Sequence, residues 1–147
     1  MSDETNQLRV RLVTPERVLF EAAADAVELP AKNGYMEVLF GAAPLLAELG
    51  AGDVVVHGGQ GEAGGESRYN VSWGFVEVLP DRVTILASDA LKPEEIRVDR
   101  AEEQLQRGQK MWNEAGDSEE AYTEALHVIA EAEAKLATAA EKHSPST

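Results

Sequence analysis

From Leu8 to Ala90 the apolar positions recur with a period of two. Leu8-Arg9-Val10-Arg11-Leu12-Val13 alternates apolar with basic side chains, the pattern of a strand that buries one face. Thr14-Pro15-Glu16-Arg17 makes a turn, Val18-Leu19-Phe20 opens a second strand, and Ala26-Val27-Glu28-Leu29 forms a third, stopped by Pro30. Tyr35 to Leu39 follows the turn residues Asn33-Gly34. Leu45 to Leu49 and Val54 to Val56 read as two strands separated by Gly50 and Gly52. Arg68 to Trp73 and Phe75 to Val78 alternate again on either side of Gly74, and Pro80-Asp81 turns the chain into Arg82 to Ala87. Short strands with Gly and Pro turns and no helix between them predict an antiparallel β-sandwich or flattened barrel over residues 1–90.

After Ala90 the period lengthens. Pro93-Glu94-Glu95 suits a first helical turn, with proline where no N–H is needed and acids near the positive end of the dipole. Val98, Ala101, Leu105, Gly108 and Trp112 recur at three- and four-residue steps and make one apolar stripe. Asn113 to Gly116 breaks the helix, and Asp117 offers a cap with Glu120 at capping-box spacing. A second helix from Ser118 to about Glu141 carries Tyr122, Leu126, Ile129, Leu136 and Ala140 on one side. Residues 91–141 are therefore expected to form an antiparallel two-helix hairpin whose seam, rich in alanine, holds few large side chains. Residues 142–147 are expected to be a disordered tail.

Charge narrows the partners. The chain carries 27 acidic and 13 basic side chains, a net charge of −14, which disfavours nucleic acid and anionic lipid surfaces. There is no cysteine, so disulfides and thiolate chemistry are excluded. The polar start, Met1 to Asn6, has no apolar run behind it and does not read as a signal peptide. The longest uncharged apolar stretch, Val38 to Ala47, includes Pro44 and is too short to span a bilayer.

Catalytic chemistry leaves no trace in the pattern. His57, His127 and His143 are scattered without metal-ligand spacing, and no serine stands in a nucleophile-elbow motif. Asp53, Glu77 and Asp81 fall at strand ends or turns, where carboxylates are ordinarily solvated. Gly58 to Gly65 is glycine-rich, but it lacks the Gly-Lys-Ser/Thr ending of a phosphate loop and precedes strands, so a long hairpin loop is expected there. Met36, Met111, Trp112 and the Trp73-Gly74-Phe75 run read as packing residues, the last with a glycine that permits a turn or bulge. No catalytic residue, metal site or resident cofactor is expected.

The order of these segments resembles the ε subunit family of F-type ATP synthases (δ in mitochondria). Leu12-Val13-Thr14-Pro15-Glu16-Arg17 is similar to that family's opening turn. Gly41-Ala42-Ala43-Pro44-Leu45-Leu46 with a trailing Gly52 is similar to its Gly-His-Ala-Pro-Leu-Leu run. Val71 to Val78, Val83 to Ala87 and Ile96 to Ala101 match the strands and first helix that follow. The resemblance implies a non-catalytic rotor subunit. Its sandwich would clamp the γ shaft and rest on the membrane ring of c subunits. Its hairpin would reach the αβ head conditionally and restrain ATP hydrolysis. It implies a peripheral position on the cytoplasmic face of the energy-transducing membrane, reached only through partners. Candidates for ring and shaft contact are Tyr35, Glu37, Phe40, Gly41, Ala42 and Trp73, and candidates for a regulatory role in the hairpin are Arg97, Arg100, Arg107 and Lys110. A free-standing β-sandwich binding module with a helical oligomerisation hairpin is the alternative.

The chain departs from the family pattern in three places. Phe40-Gly41-Ala42 stands for Pro-Gly-His and Glu37 for glycine, which implies a modified ring contact. Arg97 replaces the aspartate that opens the first helix, leaving Asp99 with Glu102 to cap it. Glu124 and Glu131 stand near positions where relatives place arginines, so the ATP that regulates some relatives is expected to bind weakly or not at all.

Overall fold

Alternation in the opening segment buries Leu8, Val10 and Leu12 and leaves Arg9 and Arg11 in solvent. Arg82 to Ser88 repeats that division, with Val83, Ile85 and Ala87 buried, whereas Gly52 to Val56 is buried throughout. The computed structural model describes residues 7–58 and 65–143, and these comprise β1 (Leu8–Val13), β2 (Val18–Ala24), β3 (Ala26–Ala31), β4 (Gly34–Leu39), β5 (Leu45–His57), β6 (Glu66–Leu79) and β7 (Arg82–Leu91). A 3₁₀ turn, Pro93–Glu95, leads to helices α1 (Val98–Asn113) and α2 (Glu119–His143). The chain divides into two units between Leu91 and Lys92.

The strands are ordered β2-β1-β7-β6-β5-β3-β4, and every one of them contributes to a single core. That core includes Val27, Leu29, Val54, Val56, Val71, Val76 and Ile85, all without measurable exposure. At roughly 1.5–3 kcal/mol for each fully buried aliphatic side chain, this shared core is the main stabilising contribution to the unit. All adjacent pairs are antiparallel except one. β1 runs parallel to β7, with Arg9 beside Arg82 and Val13 beside Leu86. The turn after β1 sends β2 to the sheet edge, which leaves the first strand alongside the last. Thr14 builds that turn by accepting the N–H groups of Glu16 and Arg17 on its hydroxyl, both at 3.2 Å. Arg17 then donates to the carbonyl of Ala90 at 3.2 Å and ties the turn to the end of β7.

Two pairs of expected strands are continuous. β5 runs through Gly50 and Gly52, and β6 through Trp73 and Gly74, with no shift of register between them. What changes is the face that points inward. In β6 the core residues pass from Tyr69 and Val71 to Val76 and Val78, a switch from odd to even positions. β5 switches between Leu49 and Val54, and β7 between Ala87 and Ala90. Trp73 (φ 59°) and Gly74 (φ 134°) supply the backbone reversal in β6. The glycine is required there, because a Cβ would strike the carbonyl oxygen of Leu86 on β7.

His57 pairs with Glu66, and Gly58 N–H donates to the Gly65 carbonyl at 2.8 Å, so the glycine-rich segment connects a hairpin; residues 59–64 lie outside the described residues. Asp53, expected to be solvated, is buried and receives Arg68 at 2.9 Å.

In the second unit the helices pack along Ala101 and Gly108 on α1 and Ala125, Ala132 and Ala139 on α2, all buried. Gln104 donates to the Val128 carbonyl across this seam at 3.4 Å. The large side chains read as the apolar side of α2 lie to one side of that line: Leu126 is 51% exposed. Gly108 explains the offset. A Cβ there would lie 2.8 Å from Ile129 and 3.0 Å from Val128, so the helices approach closely enough at this point to exclude even a methyl group on α1.

The caps differ from expectation as well. Pro93–Glu95 stays a separate turn, closed by Glu95 accepting the Lys92 N–H at 2.8 Å, and α1 starts at Val98 with Arg97 as N-cap. Asp99 therefore lies inside the first turn and does not cap it. Ser118, not Asp117, caps α2, its hydroxyl accepting the Ala121 N–H at 3.1 Å. α2 continues to His143, into the expected tail, because Ala134, Ala139 and Ala140 favour helix; residues 144–147 lie outside the described residues.

Candidate functional site

The outer face of the sheet carries an apolar row that the sequence pattern did not single out. Register places Phe75 beside Leu86, Leu86 beside Val13 and Val13 beside Val18, so one line crosses β6, β7, β1 and β2. Phe75, Leu86 and Val18 are 53%, 50% and 52% exposed. A groove of about 390 Å³ runs along the row, lined by Val13, Thr14, Pro15, Gly74, Phe75 and Leu86 among others. Isolated apolar residues on a surface are ordinary, but aligned ones in a groove mark contact surfaces. Beside the row lies a polar one, Glu77, Thr84, Arg11 and Glu21 in register, where Arg11 and Glu21 pair at 3.6 Å. Beyond it Arg9 and Arg82 stand next to each other, both exposed. Leu45 and Leu46 add a second exposed apolar edge on β5, next to a recess closed by the Lys32–Glu48 pair at 3.2 Å.

The expected ring and shaft residues fall in two places. Phe40, Gly41 and Ala42 form the β4–β5 connection, where Gly41 (φ 90°) donates to the Pro80 carbonyl at 2.7 Å beside the β6–β7 turn. Phe40 is exposed, and Ala42 packs against the core. Tyr35 lies toward the other end of β4, about 17 Å of extended strand from Phe40. It is exposed, yet its hydroxyl accepts the Asp53 N–H at 2.8 Å. A Cβ on Gly52 would collide with that hydroxyl, so the glycine in β5 makes room for a side chain from β4. Trp73 sits at the nearby backbone reversal, partly buried. Glu37 is exposed opposite Glu28, whose carboxylate meets His57 Nε2 at 3.2 Å.

On the hairpin, Arg100, Arg107 and Lys110 are exposed on the side of α1 away from the seam, and Glu103 stands between the two arginines at helical spacing. Arg97 pairs with Asp99 at 3.4 Å. The Arg100 backbone N–H holds the Asp99 carboxyl below its usual 3.8, and Arg97 adds to the effect. On α2, Glu131 holds Lys135 at 3.0 Å and Glu124 is exposed. Carboxylates at these positions do not fit a polyphosphate, which needs unneutralised cations or donors aimed at it. Trp112, expected as a packing residue, is 42% exposed. Among the described residues no group of His, Asp or Glu is placed to hold a metal ion, and no helix is long and apolar enough to cross a membrane.

Fold and surface together define a class: a seven-stranded β-sandwich with an apolar outer face, followed by a thin helical hairpin. Residues 7–93, more than half of the chain, match the family described as ATP synthase, Delta/Epsilon chain, beta-sandwich domain. The ATP synthase epsilon chain of Solibacter usitatus is 42% identical over 137 residues, covering 92% of this chain and 97% of its own length. That of Koribacter versatilis is 42% identical over 106 residues, 71% of each chain. Among solved structures, a chain of the Euglena gracilis mitochondrial ATP synthase, in its OSCP/F1/c-ring assembly, superposes with a TM-score of 0.74 at 21% identity, covering 92% of this chain and 82% of that one. A chain of the Tetrahymena thermophila central stalk and c-ring superposes with a TM-score of 0.63 at 13% identity, covering 90% and 96%. This chain belongs to the delta/epsilon chain family of ATP synthase.

Proposed function

We propose that the chain is a non-catalytic rotor subunit of an F-type ATP synthase, with its sandwich coupling the γ shaft to the c-ring. The observation that carries this reading is the exposed row Phe75–Leu86–Val13–Val18 on a face with no reactive cluster beside it. A torque-bearing contact needs a rigid scaffold and apolar complementarity, and a curved sheet around one core supplies the first. The second apolar edge, Leu45 and Leu46, and the Phe40–Ala42 loop are the surfaces assigned to the remaining rotor contacts, with Phe40 giving the ring contact an apolar character. The chain works at the cytoplasmic face of the membrane, held there by its partners. Its hairpin acts on the αβ head conditionally, through Arg97, Arg100, Arg107 and Lys110, and without ATP as a regulator.

The test is titration of the chain into a head of α, β and γ subunits that lacks it, following binding and ATP hydrolysis together. Tight binding is expected. The double variant Phe75→Ser/Leu86→Ser should weaken it at least about tenfold while keeping a single cooperative urea transition with a modestly lower midpoint, since the pair is half-exposed anchor surface and not core. Hydrolysis that falls on binding and recovers when the chain ends at Leu91 assigns the hairpin a restraining role. Unchanged hydrolysis leaves coupling alone. Absence of binding overturns the rotor reading and favours a free-standing module, and micromolar affinity for ATP by calorimetry overturns the statement about the nucleotide.

A further inference from the structure

The hairpin carries a docking feature that the rotor reading leaves unused. A groove of about 420 Å³ opens on one side of it, lined by Gln109, Trp112 and Asn113 from α1 and Leu126 and Ile129 from α2. Its two large walls are in water, Trp112 at 42% and Leu126 at 51% exposure. Tyr122 meets the Trp112 ring edge-on at 4.6 Å between centroids, so the indole is held in place. The groove is thus a formed apolar slot on a helical surface, with neutral amides along its α1 side.

Its α2 side is electrostatically one-sided, with Lys110 on α1 the cation nearest along the chain. From Glu114 to Glu133 the chain has seven carboxylates and no lysine or arginine. Glu119 and Glu133 stand seven residues before and after Leu126, on the same face of α2 as the groove. An apolar slot with an acidic rim repels lipid headgroups and nucleic acid, and it also repels a second copy of itself. It suits an amphipathic helix whose apolar side chains, at three- and four-residue spacing, enter the slot while its cations meet the rim.

We infer that this end of the hairpin docks a basic amphipathic helix of a partner protein, with Trp112 and Leu126 as the anchors and Glu119 and Glu133 selecting the charge. The inference rests on the hairpin alone and stands or falls separately from the shaft contact.

Two synthetic peptides of about 18 residues, five helical turns, test it. Both carry the same leucine stripe, one with lysine and the other with glutamate at the remaining positions. Each is titrated into the full chain while the two tryptophan indole signals are followed by NMR. The lysine peptide should shift Trp112 and leave Trp73 in place, and the glutamate peptide should shift neither. Leu126→Gln, a change at an exposed helical position, should weaken the lysine peptide at least tenfold with unchanged circular dichroism. Glu119→Gln/Glu133→Gln should weaken it several-fold and flatten its salt dependence. Equal response to both peptides, a response at Trp73 alone, or wild-type affinity in Leu126→Gln overturns the inference. So does sedimentation of the free chain as a dimer that Leu126→Gln dissociates, because the occupant is then a second copy.

Discussion

Gly52 and Gly74 are both glycines inside strands, yet their neighbours differ in a way that sets different costs for the same substitution. A methyl on Gly52 meets the tip of Tyr35, an exposed side chain that can swing away and give up one hydrogen bond to Asp53. It also touches Pro30 Cβ at 3.0 Å, which a shift of a few tenths of an ångström relieves. Gly52→Ala should therefore cost about 1 kcal/mol. A methyl on Gly74 meets the backbone of Leu86 at a φ of 134°, and relief requires β6 and β7 to part. Gly74→Ala should cost about 3 kcal/mol or more. Urea denaturation of the two variants checks the order, and equal costs would contradict the geometry. Asp99 makes a prediction in pH. Its folded pKa is lowered by the Arg100 N–H, so its stabilising effect is present above the unfolded value of 3.8 and is lost as pH falls through the folded value. Asp99→Asn should lower the helical melting midpoint at neutral pH, and the difference from wild type should vanish in acid below that range. Both glycines were legible as breaks in alternation. The reasons for them were not, since Tyr35 reaches Gly52 from another strand and Leu86 blocks Gly74 from a third.

At the scale of elements, the hairpin depends on how closely its helices approach. Gly108 sits against Val128 and Ile129, so Gly108→Leu should force the helices apart. Amide exchange in α1 and α2 should then accelerate, while β-strand amides keep their protection. Uniform acceleration in both units would show that the two do not unfold separately. The helices, their breaks and the poverty of the seam were readable from spacing alone. Which alanines are buried was not, because a stripe of large residues draws the eye to Leu126 and Ile129, whereas close approach selects Ala125, Ala132 and Ala139. Caps moved by one or two residues for a related reason: Asp117 and Ser118 both have capping oxygens, and only the geometry of the loop decides which one reaches the free N–H groups.

For the whole molecule, the core of the sandwich is formed entirely by residues between Leu8 and Ala90. A chain ending at Leu91 should therefore unfold in one cooperative urea transition, measured by Tyr and Trp fluorescence, and a gradual loss of signal would deny the unit its independence. The strands, the switch to helix near Ala90, the net negative charge and the ordered motifs that carry the family resemblance are local properties, and the sequence by itself determined them. Three things were decided only in the folded molecule. The parallel pairing of β1 with β7, the change of inward face at Trp73–Gly74, and the alignment of Phe75, Leu86, Val13 and Val18 all join residues far apart in the chain. Periodicity along one strand tells which side chains share a face, but only register between strands tells which of them become neighbours.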